Sequence, residues 1–142
     1  MKTCTRCGES KTEDQFYLVK SGKMAGKRVA HCTPCDRDLW MVSKYGITRQ
    51  QYEKILTDQG GGCAICGGEE RTKTTSGTGQ VRRLSVDHDH SCCPGVRSCG
   101  KCIRGILCND CNNSIGRMKD DPARLRRAAE YLEQGNPPDP VH

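Results

Sequence analysis

Twelve cysteines and one short run of alternating acid and imidazole hold most of the reactive side chains of this 142-residue chain. CxxC pairs stand at Cys4/Cys7, Cys32/Cys35, Cys63/Cys66 and Cys108/Cys111, leaving Cys92, Cys93, Cys99 and Cys102 as a further set. Between the third and fourth pairs lies Val86-Asp87-His88-Asp89-His90, and the fourth pair runs into an asparagine as Cys108-Asn109-Asp110-Cys111-Asn112. Thiolates at CxxC spacing bind Zn²⁺ tetrahedrally, two pairs to one ion. An acid-imidazole run nested inside such a frame has the residue types of a metal-dependent active site.

Zinc is the expected use of the pairs. No apolar leader precedes Cys4, so a reducing, cytoplasmic setting is expected, where such pairs serve as ligands more readily than as disulfides. Cys4, Cys7, Cys32 and Cys35 then close one site, and Cys63, Cys66, Cys108 and Cys111 a second. His31 beside Cys32 is an alternative ligand, but four cysteines already complete the shell. Composition shows why metal is needed: 34% hydrophobic and 4% aromatic residues, with sixteen glycines, leave too few large side chains for an ordinary core. No segment approaches the length of a membrane span.

Charge points to a polyanion. Lys and Arg exceed Asp and Glu by 23 to 17, a net +6. The basic residues gather around and after the histidine run, at Arg82, Arg83, Arg97, Lys101, Arg104, Arg117, Lys119, Arg124, Arg126 and Arg127. A phosphate backbone would be held there, although a solvated helix face would account equally well for Arg124, Arg126 and Arg127.

The elements that must position these residues follow from pattern. A zinc ribbon is expected over residues 1–38, with Phe16 to Val19 as a short strand and Ser21-Gly22-Lys23 as a turn. A helical connector over 39–62 comprises one helix from Asp36 to Lys44, with Trp40 packed at the module boundary, and a second opened by a Thr48/Gln51 capping box with Tyr52, Ile55 and Leu56 on its buried stripe. The third segment, 63–134, begins with Cys63 to Gly68 and a polar surface loop, Glu69 to Gln80. A strand from Val81 to His90 then pairs with Ile103 to Leu107, and a helix follows from Cys108 to Met118. A last helix, capped by Asp121, buries Leu125, Ala128, Ala129 and Leu132 until Gly135 stops it. The tail, 135–142, is proline-rich and expected to be disordered.

A strand hairpin followed by a helix, with cysteine pairs at both ends, Asp-His on the first strand and Asn on the helix, resembles the ββα-metal (His-Me finger) fold of HNH endonucleases. More specifically it resembles the phage recombination endonuclease VII family. The resemblance rests on Cys63-Ala-Ile-Cys66-Gly67, Val86-Asp87-His88-Asp89-His90, Arg104-Gly105-Ile106-Leu107-Cys108 and Cys108-Asn109-Asp110-Cys111-Asn112, and covers Gln59 to Met118. The expected fold is therefore a small zinc-stabilised α+β protein: a ββα-metal nuclease core with an N-terminal zinc-ribbon module and flanking helices.

The resemblance implies a metal-dependent DNA endonuclease. Asp87 and Asn112 would hold a catalytic Mg²⁺ or Mn²⁺ through oxygen atoms, His88 would be the general base, and His90 would position or assist at the phosphate. Arg104, Arg97, Lys101 and Arg117 are the expected DNA contacts. In an ideal strand Asp87 and His88 face opposite ways, so a bulge or strand end is expected at the motif. The competing reading is a non-catalytic zinc-ribbon module that binds nucleic acid or protein, with Asp-His-Asp-His as a structural metal site.

The first module is an addition to the family pattern, and the chain ends soon after the last helix, whereas the family's Holliday-junction resolvase intertwines longer helices. Subunit state is left open between a homodimer and a monomeric or loosely associated nickase, and partners among phage packaging or recombination proteins are implied. Cys92, Cys93, Cys99 and Cys102 match a third tetrahedral Zn²⁺, at the cost of strain where adjacent Cys92 and Cys93 reach one ion; a three-cysteine site or free thiols are the alternatives. That zinc would stiffen the loop beside the motif and aim Arg97 and Lys101 at DNA.

Overall fold

The computed structural model describes residues 1–74 and 79–135. The expected disordered tail from Asn136 onward, and residues 75–78 of the expected polar loop, lie outside the described residues. Short elements dominate: strands β1 (Lys2–Thr3) and β2 (Ser10–Lys11), helices α1 (Thr33–Tyr45) and α2 (Arg49–Asp58), strands β3 (Ser85–His88) and β4 (Ile103–Leu107), and helices α3 (Asn109–Arg117) and α4 (Pro122–Glu133). The chain divides into two compact units, one of Met1–Ile55 with His88–Arg104, the other of Leu56–Asp87 with the chain from Gly105 on.

In the first unit, β1 and β2 pair antiparallel with Lys2 opposite Lys11, and the turn between them carries Cys4 and Cys7. The Cys4 amide donates to the Glu9 carbonyl at 2.9 Å, and Gly8 completes the turn at φ +74°, a conformation that favours glycine. Phe16 to Val19 does pair back across the expected turn, through Val29 N to Tyr17 O and Val19 N to Lys27 O, but as an isolated bridge and not a regular strand. Phe16 is buried while Tyr17 and Leu18 are exposed. Four consecutive apolar residues cannot all face one side of an extended chain.

Helix α1 begins earlier than expected because Cys32 takes the extended cap position and Pro34 fits the first turn. It ends at Gly46, whose φ of +70° closes the left-handed cap. Trp40 is 47% exposed, a partly covered packing residue. Met41 is buried in its place, since successive helical residues point about 100° apart. The Trp40 ring lies edge-on to Tyr45 at 5.7 Å, with the Lys44 ammonium 4.9 Å from the indole. At the start of α2 the capping box forms in both directions: the Thr48 amide donates to Gln51 Oε1 at 2.8 Å, and the Gln51 amide to Thr48 Oγ1 at 3.1 Å. Tyr52 is buried one turn in.

The segment after β3 is moored to the end of α1. Ser98 donates through its amide to the Lys44 carbonyl at 2.9 Å and through its hydroxyl to the Tyr45 carbonyl at 3.1 Å. There Gly46 and Gly100 lie backbone against backbone, both at positive φ, and a Cβ on Gly100 would run into the Gly46 carbonyl. Gly100→Ala is therefore expected to lower stability by about 1–3 kcal/mol, read as a fall in the urea midpoint. An unchanged midpoint would mean that the contact gives way freely.

The second unit is built around sulfur. Cys63, Leu107 and Cys108 form its buried cluster, with Leu84, Cys111 and Ile115 packed against them. The outer edge of β4 is covered without another strand: Gln59 donates from Nε2 to the Ile106 carbonyl at 2.6 Å and accepts from the Ile106 amide at 3.1 Å, and the Ala64 amide donates to the same carbonyl at 3.0 Å. These bonds satisfy backbone groups that would otherwise be a pairing hazard. Asp121 caps α4 through the amides of Ala123 and Arg124. The expected buried stripe of α4 is not present: Leu125 and Ala128 are half-buried, Ala129 is exposed and Leu132 is 75% exposed. Helical spacing places these residues on one face, but burial also requires a neighbour to cover that face. No helix among the described residues is long and apolar enough to cross a membrane.

Candidate active site and metal centres

Three quartets of thiols are assembled: Cys4/Cys7/Cys32/Cys35, Cys63/Cys66/Cys108/Cys111 and Cys92/Cys93/Cys99/Cys102, each with its sulfurs within 4.8 Å of one another. A Zn–S bond of about 2.3 Å sets tetrahedral edges of about 3.8 Å. The sulfurs of Cys7 and Cys32 are 3.9 Å apart, Cys66 and Cys108 3.8 Å, and Cys99 and Cys102 3.8 Å. These separations fit a shared ion and lie far beyond a disulfide bond of about 2 Å. The backbone at adjacent Cys92 and Cys93 does not enter the left-handed region: the only non-glycine residues at positive φ among those described are Lys119 and Asp120. A turn in which the Cys92 and Cys93 amides both donate to the Asp89 carbonyl, at 3.1 Å each, directs both sulfurs inward to 4.0 Å.

Local dipoles prepare these sulfurs to be thiolates. Burial pushes the Cys4 thiol up, but amide donation from Cys32, Cys7 and Arg6 outweighs it and brings the pKa down to about 5. Cys63 follows the same pattern, burial opposed by the amides of Cys66, Cys108 and Ile65, and falls to about 6. In the third quartet the Lys101 amide is the main cause that lowers Cys99, to about 7. Their neighbours move the other way. Burial and the crowding of sulfurs push Cys35 up to about 12, and hydrogen bonds from Cys102, Cys93 and Cys99 do the same to Cys92. A dication in each quartet would offset that repulsion.

Asp87 and His88 end β3, each only 5% exposed. His88 is the strand's last residue, where regular alternation stops. Its Nε2 lies 2.9 Å from the Cys93 carbonyl and 3.1 Å from the Gly95 carbonyl. Carbonyl oxygens only accept, so Nε2 must carry the proton, which leaves the Nδ1 lone pair as the basic position. The His90 ring, in the turn that follows β3, lies 4.6 Å from that of His88. Asp89 is a turn residue: its carboxylate accepts from the Ser91 hydroxyl at 2.7 Å and the Ser91 amide at 2.8 Å, and these bonds, ahead of the Arg104 and His90 charges, hold its pKa low.

Asn112 lies in the first turns of α3, its amide donating to the Cys108 carbonyl at 3.0 Å. It shares the second unit with Asp87, whereas His88 and His90 belong to the first. A carboxylate and a carboxamide are oxygen donors suited to a hard divalent cation. Lys101, Arg104 and Arg117 are exposed. Arg97, also exposed, donates from Nη1 to the Ser43 hydroxyl at 2.9 Å and carbonyl at 3.1 Å, an engagement with the last turn of α1. Sequence patterns missed Glu70. Its carboxylate accepts from the Asn109 amide at 2.7 Å and the Thr72 amide at 2.8 Å. Burial raises its pKa, but these amides prevail and lower it, as befits an anion at a helix N-terminus. The 39-residue separation of this pair carries no local signal.

The described architecture is that of a small α+β protein with a two-stranded sheet leading into a helix and cysteine quartets able to bind zinc. Residues 38–134 match the recombination endonuclease VII family, and the chain belongs to that family. The matching region starts within α1. The Gene 59 protein of Mycobacterium phage L5 is 38% identical over 99 residues, covering 69% of this chain and 49% of the relative. The Gene 59 protein of Mycobacterium phage D29 is 38% identical over 95 residues, covering 66% and 48%. The chain thus spans about half the length of these relatives. Among solved structures, the ββα-Me type II restriction endonuclease Hpy99I aligns over 95% of this chain and 66% of its own at a TM-score of 0.36 and 23% identity, too loose a likeness to carry residue roles.

Proposed function

We propose that the chain is a metal-dependent DNA endonuclease in which His88 is the general base, Asp87 and Asn112 hold a divalent cation, and His90 assists at the phosphate. The observation that carries this reading is the pair of carbonyls on His88 Nε2. They suit the imidazole to take a proton at Nδ1 and keep its ring from rotating. His88 would remove the proton from the attacking water, which adds to phosphorus as the 3′ oxygen leaves and takes a proton from solvent, so that 5′-phosphate and 3′-hydroxyl ends result. Mg²⁺ or Mn²⁺ bound by the two oxygen donors would supply charge to offset that building on the phosphate and leaving oxygens. Arg104, Lys101 and Arg117 are the proposed contacts to the phosphate backbone. Arg97 is set apart from them by its bonds to Ser43.

Purified protein is expected to nick supercoiled plasmid only with added Mg²⁺ or Mn²⁺. Asp87→Asn, which keeps the size of the side chain, is expected to lose about 10²-fold or more of that activity with zinc content unchanged. Linear, nicked and four-way-junction substrates compared side by side would distinguish a nickase from a branch-specific enzyme. Bound zinc with no cleavage of any substrate under either cation would instead favour a non-catalytic binding module.

A further inference from the structure

The third quartet shares a loop with the atoms that hold the proposed base. Cys93 contributes its sulfur to the quartet and its carbonyl to His88 Nε2, and Gly95, two residues on, supplies the second carbonyl. On the far side of this short segment, Arg97 and Ser98 are bonded to α1. Pro94, Gly95 and Val96 between these two anchors are exposed and belong to no helix or strand. Cys93 is therefore the anchor of the carbonyl pair on the histidine side, and its sulfur is held only as firmly as the quartet is.

The three quartets also differ in access. Cys4 and Cys32 are buried in the first and Cys63 and Cys108 in the second, whereas no member of the third is buried. An ion whose ligands are all at least partly open to solvent can be approached by water and competing ligands from more directions, and should exchange first. We infer that Cys92, Cys93, Cys99 and Cys102 form an exchangeable site for a thiophilic divalent cation of the zinc type, and that its occupancy positions His88 by holding the Cys93 and Gly95 carbonyls on Nε2. The consequence for catalysis rests on the endonuclease reading above; the coupling of metal to imidazole does not. Cys93 and Gly95 are positioning residues in this scheme, since neither need touch DNA.

The test begins with graded chelation of the reduced, fully zinc-loaded protein. Close to three zincs per chain are expected, with one leaving first while the helical circular dichroism stays intact. Over the same chelator range the ¹⁵N signals of the His88 ring, assigned by their absence in His88→Gln, should change from a fixed Nε2–H tautomer to a mixture. Nicking should fall about tenfold in kcat with KM for DNA nearly unchanged, and zinc alone, added back, should restore both. The Cys99→Ser/Cys102→Ser double variant should bind two zincs and show the mixed tautomer without chelator. If that variant does not fold, the graded series on the unaltered chain still decides. Two zincs in the unaltered protein, three that leave together with unfolding, or a His88 tautomer indifferent to the first loss would each overturn the inference. A protein that cleaves nothing yet shows the coupled metal loss and tautomer change would refute the endonuclease reading and leave the coupling standing.

Discussion

His88→Ala should reduce plasmid nicking by on the order of 10²-fold or more while leaving zinc content and far-ultraviolet circular dichroism as they were. Loss of a positioned general base typically costs 10²- to 10⁴-fold, equivalent to about 2.7–5.5 kcal/mol of barrier. Stability should respond less. Truncation leaves the Cys93 and Gly95 carbonyls without their shared donor, and an unpaired polar group costs about 1–3 kcal/mol when buried, less here because Gly95 is itself exposed. The two effects separate by measuring activity well below the melting temperature. A base role also predicts that kcat bears the loss and KM changes little, because the proton transfer is absent from the ground-state complex. Activity within a few-fold of the unaltered protein would refute the assignment of His88.

What was legible in the sequence is what is local. Cysteine quartets can be read from spacing because a tetrahedral ion accepts few arrangements of CxxC pairs. The Thr48/Gln51 box and the Asp121 cap were equally legible, each depending on residues within one turn. Burial was read less well. The periodicity of α4 marks one apolar face, yet Leu132 lies open, since whether anything covers a face is settled by the path of the rest of the chain. Nor does size decide burial: the helix turns Met41 inward and leaves Trp40 47% exposed, edge-on to Tyr45. Most of what sequence missed joins distant positions: Gln59 on β4, Glu70 on the start of α3 and Ser98 on the end of α1. The carbonyls on His88 escaped for a different reason. They are backbone atoms of nearby residues, and no side-chain pattern identifies them.

Removal of zinc should unfold the protein. Among the described residues the fully buried large side chains are few, Phe16, Met41 and Ile106, with Cys4, Cys32 and Cys63 making up the rest of the most buried set. Burying an aliphatic or aromatic side chain contributes about 1.5–3 kcal/mol, whereas ordering each residue's backbone costs about 1–2 kcal/mol, so cores this small cannot hold units this size without metal. A structural zinc contributes about 10–16 kcal/mol of apparent binding energy at neutral pH. Acid should act in the same direction as a chelator. The Cys4 thiol is held down at about 5 in the folded chain, below its unfolded value of about 8.5, so its contribution is present in full above the unfolded value and is lost as pH falls through the folded one. Bound zinc would widen that window toward lower pH by favouring the thiolate further. Excess strong chelator under reducing conditions is therefore expected to abolish the cooperative thermal transition and most helical signal, with recovery on adding Zn²⁺ and none on adding Mg²⁺, because a hard cation is poorly matched to sulfur. Cys4→Ser and Cys63→Ser should each cost one zinc and the order of the unit that holds it, resolved by amide exchange. A metal-free chain that still melts cooperatively within a few degrees of the loaded one would show that apolar packing suffices and that the quartets do not hold the fold.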